Sequence, residues 1–178
     1  MNYEQLLDFF ILAGKLKHIQ RTGWIETGII NPESVSDHTY RVSLLAMILS
    51  DLKQLDTEKV LKMSLIHDLP ESILGDLTPI QKKEGHQQLE NRVMKKILNL
   101  LPQGLESKYL EIWHEFQKMT SDEAELVYAA DKIEMVLQAY EYSEKEIDPN
   151  RIERFLNTKV PKNYEELYNV ISKRYKSP

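Results

Sequence analysis

Along most of the chain, apolar side chains recur every three or four residues, the spacing of helices that bury one face. Leu6, Phe9, Phe10, Ala13 and Leu16, edged by Lys17, form the first such stripe. Gly23, Gly28, Asn31 and Pro32 then mark residues 20–35 as a loop. It is long for a helical protein, and long ordered loops often carry function. A second helix is expected over about 36–52, and a third, capped at Asp56–Thr57, over about 58–74 with its end at Gly75. Thr78 followed by Pro79 reads as an N-cap and first helical position, opening a fourth. Further stripes predict helices over about 86–101, 106–118 and 121–145, the last opened by a Thr120/Glu123 capping box. Asp148–Pro149 opens a short helix, and Asn163 with Glu166 opens the final one, to about Lys173. Residues 75–90, with two glycines, a proline and several charges, are expected to be partly irregular and mobile. No segment alternates long enough to predict a strand, and there is no repeat, low-complexity tract or linker. The expectation is one all-α domain over residues 1–178, a multi-helix bundle.

Composition narrows the functional classes. The 178 residues carry 23 Lys and Arg against 28 Asp and Glu, a net charge of −5, which leaves no basic excess for a nucleic-acid polymer. A small anionic ligand needs only one or two local arginines and remains open. No cysteine is present, which excludes disulfides, thiolate metal sites and cysteine nucleophiles, and makes the cytosol the default compartment. The apolar run from Leu6 to Ala13 is interrupted by Asp8 and has no preceding basic residue, so it reads as an amphipathic helix and not as a signal peptide or membrane span.

Three predicted helices place polar groups where the pattern expects core. His67–Asp68 follows Leu61, Leu65 and Ile66; His38 begins the second helix; Asp131 lies among Val127, Ala130, Met135 and Val136. A buried imidazole or carboxylate is costly unless a partner satisfies it. Two imidazoles and two carboxylates make an N₂O₂ set suited to a divalent transition ion such as Mn²⁺ or Co²⁺ better than to Ca²⁺. The competing reading is ordinary pairing, for example of Asp131 with a lysine.

The ordered set His38, His67–Asp68 and Asp131 resembles the H…HD…D pattern of the HD-domain metal-dependent phosphohydrolases. The flanking segments Arg21–Trp24, Pro32–His38, His67–Glu71 and Gly75–Pro79 are similar to the branch of that family containing the 5′-deoxynucleotidases, over about residues 4–172. The resemblance implies an all-α HD domain that hydrolyses deoxyribonucleoside 5′-monophosphates with one divalent metal ion. It implies His38, His67, Asp68 and Asp131 as metal ligands, Glu71 as acid/base residue and Arg21 as phosphate ligand. It also implies Trp24 as a wall of the nucleotide pocket and Asp76 as a contact to the sugar. On a helix, His67, Asp68 and Glu71 would share a face, setting Glu71 beside the metal without binding it.

Two other enzyme readings keep the metal and change the substrate, to a cyclic nucleotide or a nucleoside triphosphate. Arg21, Lys17, Arg41 and Lys132 are few cations for a triphosphate, and His86 and His114 lack the flanks of a second metal site. A non-catalytic helical interaction module is the third alternative. Family likeness points to a homodimer, and Trp113, Phe116, Tyr128, Tyr140 and Tyr142 are candidates for its two-fold interface.

Overall fold

A computed structural model describes residues 2–144 and 148–176. Ten α-helices are present among them: α1 (Tyr3–Gly14), α2 (Thr22–Glu26), α3 (Val35–Lys53), α4 (Thr57–Ile66) and α5 (Glu71–Leu74), then α6 (His86–Leu98), α7 (Leu105–Lys118), α8 (Asp122–Ser143), α9 (Pro149–Leu156) and α10 (Glu165–Lys176). Strand pairing among the described residues is limited to one antiparallel bridge between Gln20 and Ser34.

The bundle is built around α8. Ala124, Val127, Ala130, Ile133, Val136 and Ala139 are all fully buried, so this helix is enclosed on several sides, and its alanines let neighbours approach closely. The main packing partners of α8 are α3, α4 and α9, and α3 also packs on α4. The principal core joins these helices to α6 and α7 through Val42, Met63, Met94, Ile97 and Trp113. A smaller cluster of Trp24, Ile29, Ala139, Tyr142 and Ile152 fixes α2 and α9 against the far half of α8.

Several expected boundaries move for identifiable reasons. The stripe over 58–74 is not one helix. It stops at Ile66, and α5 begins at Glu71, because Pro70 has no N–H to continue the ladder. Leu69, Glu71 and Ser72 instead donate to carbonyls three residues back, which keeps the apolar spacing while tightening the turn. Thr78 closes a single turn, its carbonyl accepting from Gln81 and Lys82, and no helix follows until His86. Ser121, not Thr120, caps α8 by accepting from Ala124 N–H, and Glu123 is drawn to Lys59 at 2.9 Å. Asn163 does not cap α10; its amide donates to Glu125 from within a short 3₁₀ turn. Part of the expected 20–35 loop is helical, as α2. The expected end of α8 at residue 145 lies outside the described residues. On α1, Leu6, Phe9 and Ala13 are half-buried while Phe10 is exposed, so the buried stripe is narrower than its spacing implied. Of the aromatics expected at a two-fold interface, Trp113, Tyr140 and Tyr142 are buried and Phe116 and Tyr128 half-buried, because α8 is central and α7 packs against α4, α6 and α8.

Candidate metal centre and active site

Each functional side chain is aimed by a local device. Ser34 caps α3, its hydroxyl accepting from Asp37 N–H while the Asp37 carboxylate accepts from Ser34 N–H. That box fixes the first turn and with it His38, the next residue. Arg21 N–H donates to the Glu33 carbonyl at 3.1 Å and Val35 N–H to the Ile19 carbonyl at 2.8 Å, which lays residues 19–21 alongside 33–35 and brings Arg21 near His38. The tight turn after α4 presents His67, Asp68 and Glu71, and Asp131 projects from the middle of α8.

The two histidines are locked from behind. His67 Nδ1 meets the Ser64 carbonyl at 2.6 Å, and a carbonyl only accepts, so Nδ1 carries a proton and in the neutral ring the lone pair is on Nε2. His38 Nδ1 bonds Glu134, which is fully buried and whose second oxygen accepts from two Arg41 nitrogens at 3.0 and 2.8 Å. Both Nε2 atoms therefore turn inward. His67 Nε2 lies 3.2 Å, and His38 Nε2 3.7 Å, from Asp68 Oδ2; His38 Nε2 lies 3.1 Å from Asp131 Oδ1. One ligand atom from each of His38, His67 and Asp68 falls within 4.8 Å of the others, and Asp131 joins them through His38. The second oxygen of Asp131 holds Lys132 at 2.9 Å.

Electrostatics describe the same site. Burial disfavours an imidazolium, yet Glu134 and Asp131 outweigh it and raise His38 to about 9. Burial likewise opposes charge on His67, and Asp68 overcomes it, so this group is also raised. Burial would raise the Asp68 carboxyl, but His67, His38 and Arg21 hold it well below the usual range. Asp131 is held low against burial by Lys132 and His38. Glu71 goes the other way: burial, then Asp68 and Asp76, push it well above an ordinary glutamate. Arg21, half-buried, stays firmly charged among Asp68, Asp76, Asp131 and Glu71, which outweigh the cost of its desolvation.

The donor set fits a divalent cation. His38 Nε2, His67 Nε2 and Asp68 Oδ2 are buried atoms with no hydrogen-bond partner, a state that costs about 1–3 kcal/mol per group unless something answers it. An ion among them would satisfy all three and offset the carboxylates. A second cluster, Glu33, His38 and Glu134, is also close enough for an ion. There His38 Nδ1 and both Glu134 oxygens are already hydrogen-bonded and Glu33 receives Trp24 Nε1–H at 2.9 Å, so this cluster reads as support behind the ligands. Burial beside Glu134 raises Glu33 to about 7.

A cavity of about 560 Å³ opens over the centre, and Arg21, Trp24, Asp68, Glu71, Asp76 and Asp131 all line it. A smaller one of about 260 Å³ reaches His67, Asp68, Glu71 and Asp131 between α6, α7 and α8. Trp24 is only 1% exposed, with the Tyr142 ring against it at 5.2 Å. Asp76 accepts from Thr22 N–H through Oδ2, and its carbonyl accepts from the Thr22 hydroxyl at 2.7 Å, so it anchors the start of α2. Lys17 is exposed and outside the cavity, and Arg41 is spent on Glu134, Glu141 and Gln138. The cations Lys82 and Arg154 line the cavity although the sequence pattern did not single them out. The sequence pattern did not single out Glu134 either, although it sits three residues after Asp131 in the same apolar stretch, where a buried carboxylate equally needs a partner.

Comparison with known proteins gives a consistent picture. Residues 13–170 match the family model described as HD domain. The chain is 39% identical over 171 residues to human "5′-deoxynucleotidase HDDC2", covering 94% of this chain and 83% of that protein. It is 42% identical to the Dictyostelium discoideum protein of that name, over 83% of this chain and 80% of the other. Among solved structures, a conserved hypothetical protein from Pyrococcus furiosus superposes with a TM-score of 0.78 at 36% identity, covering 94% of this chain and 97% of that one.

Proposed function

Since this chain belongs to the HD-domain family, we propose that it is a metal-dependent 5′-deoxynucleotidase, hydrolysing deoxyribonucleoside 5′-monophosphates to deoxynucleoside and phosphate. The observation that carries the reading is the meeting of unpartnered His38, His67 and Asp68 atoms, with Asp131 beside them, where Asp68 and Asp131 reach the wall of a cavity that also holds Arg21 and Glu71. The relatives' shared name, 5′-deoxynucleotidase, supports the reaction class.

His38, His67, Asp68 and Asp131 would hold one divalent transition ion, Mn²⁺, Co²⁺ or similar by the N₂O₂ donor set. Such an ion supplies Lewis acidity toward the phosphoryl group and acidifies water. Arg21 carries a planar fork suited to two phosphoryl oxygens, and it offsets charge that grows there during in-line displacement. Glu71 handles the proton. Its carboxyl, raised by burial and by Asp68 and Asp76, gives up a proton to the departing 5′-oxygen or, once ionised, takes one from the attacking water. Asp76 contacts the sugar from the rim, where Thr22 holds it in place. Trp24 backs the cavity wall. A monophosphate is favoured over a triphosphate because the remaining cavity cations are committed: Lys82 to Glu90, Lys132 to Asp131 and Arg154 to Glu26, each at 2.9 Å.

The protein is further proposed to work in the cytosol as a homodimer. Tyr40, Leu44, Ile48 and Leu52 form an exposed apolar stripe along α3, the kind of surface a two-fold contact covers. No helix among the described residues is long and apolar enough to cross a membrane. Phosphate release from dAMP, dTMP, AMP, dATP and a cyclic nucleotide, assayed side by side, tests the substrate. Release from the deoxynucleoside monophosphates alone is expected; turnover of dATP or the cyclic nucleotide in their place would contradict it.

A further inference from the structure

The carboxylates that line the large cavity and its aromatic rings come from different elements. Asp68, Glu71 and Asp131 belong to the α4–α5 turn and to α8, whereas Phe155 and Arg154 belong to α9. Met135 links the two groups. It follows Asp131 by four residues, about 6 Å along the helix, and packs in the cluster that contains Trp24 and Phe155. A nucleotide with its phosphate at the charged wall therefore directs its base toward α9.

Trp24 offers the base little surface, being 1% exposed with its N–H given to Glu33. The half-buried aromatic ring in front of it is Phe155, whose centre lies 4.0 Å from that of Trp24. This ring is held in place before any ligand arrives. A Cβ at Gly23 would come within 3.1 Å of it, so α2 approaches closely because residue 23 is glycine. The Arg154 guanidinium lies over the ring at 4.7 Å and is itself tied to the Gly23 carbonyl at 3.1 Å and to Glu26 at 2.9 Å. Glu26 also takes the Gln81 amide at 3.2 Å, joining α9, α2 and the 78–81 turn into one frame.

We propose that the Phe155–Arg154 pair is the platform on which the nucleobase stacks, resting on the nucleotide reading above. A ring and a guanidinium plane receive any base through its π face, so this platform favours nucleotides over bare sugar phosphates without selecting among bases. A ring already fixed by Trp24 and Gly23 loses little freedom when the base arrives.

The test compares dAMP with 2-deoxyribose 5-phosphate, which lacks the base. Phe155→Leu keeps apolar bulk against Trp24 and Gly23 while removing the π face; Phe155→Ala and Arg154→Ala accompany it. KM is read in the metal-loaded enzyme, and equilibrium binding is read by calorimetry in a Glu71→Gln background. The preference for dAMP over the sugar phosphate is expected to fall about tenfold in Phe155→Leu, with binding of the sugar phosphate unchanged. An unchanged preference, or equal weakening of both ligands, would overturn the proposal. Failure of the nucleotidase reading looks different: the wild-type protein would release phosphate from neither compound, while the binding ratio would still decide whether Phe155 and Arg154 receive a base.

Discussion

A histidine has two ring nitrogens, and the fate of one decides what the other can do. His67 gives Nδ1–H to a backbone carbonyl and His38 gives its own to Glu134, so in both rings Nε2 is left to face Asp68. Glu134 is in turn held by Arg41, and His38 and then Arg41 keep this buried carboxylate charged where burial alone would neutralise it. Replacing Glu134 with Gln should weaken metal affinity about 10–100-fold in a chelator competition while the far-UV circular dichroism stays helical. Equal affinity in the two proteins would show that His38 needs no such support. Glu71→Gln should behave in the opposite way, lowering kcat by about 10²–10⁴ with metal affinity intact. A parallel loss of metal would place Glu71 among the ligands. His38, His67, Asp68 and Asp131 were legible because polar residues stood in apolar helical stripes. The Ser64 carbonyl was not, since nothing in a side-chain pattern reports where a backbone acceptor will point.

The helical elements were legible from spacing and their joints were not. α4 and α5 share one apolar period, and a turn made of three-residue hydrogen bonds barely disturbs it, so only Pro70 announced the break that presents His67, Asp68 and Glu71. Thr78–Pro79 carries the local chemistry of a helix start, yet the charged residues after it have no apolar face to bury and the turn ends at once. The start of α3 is better determined, because Ser34 and Asp37 answer each other's N–H groups. Ser34→Ala should lower the unfolding free energy by about 1 kcal/mol in urea denaturation. Undiminished stability would mean that the bridge to Gln20 fixes this end without the cap. α2 and α9 form the other joint; Phe155 wedges against Gly23 across 132 positions of chain, a contact no local pattern encodes.

At the scale of the whole molecule, a central helix enclosed by its neighbours gathers Arg21, His38, His67, Asp68, Glu71 and Asp131 into one site beside a cavity. The all-α class followed from periodicity and the absence of alternating segments. Which helix would be central did not, so the aromatics of α7 and α8 read as surface candidates although Trp113, Tyr140 and Tyr142 are buried. Exposed apolar side chains remain on α1 and along α3, and those of α3 form the stripe proposed to cover a second copy. Leu44→Lys combined with Ile48→Lys should convert a dimer to monomer in sedimentation analysis while phosphate release per chain is retained; an unaltered mass would move the interface elsewhere. The most direct test of the account is a titration of metal-stripped protein with Mn²⁺ or Co²⁺ while phosphate release from dAMP is followed. The rate is predicted to climb from near zero and break at one equivalent of metal per chain. A rate already full without metal, or no release at any metal concentration, would contradict it.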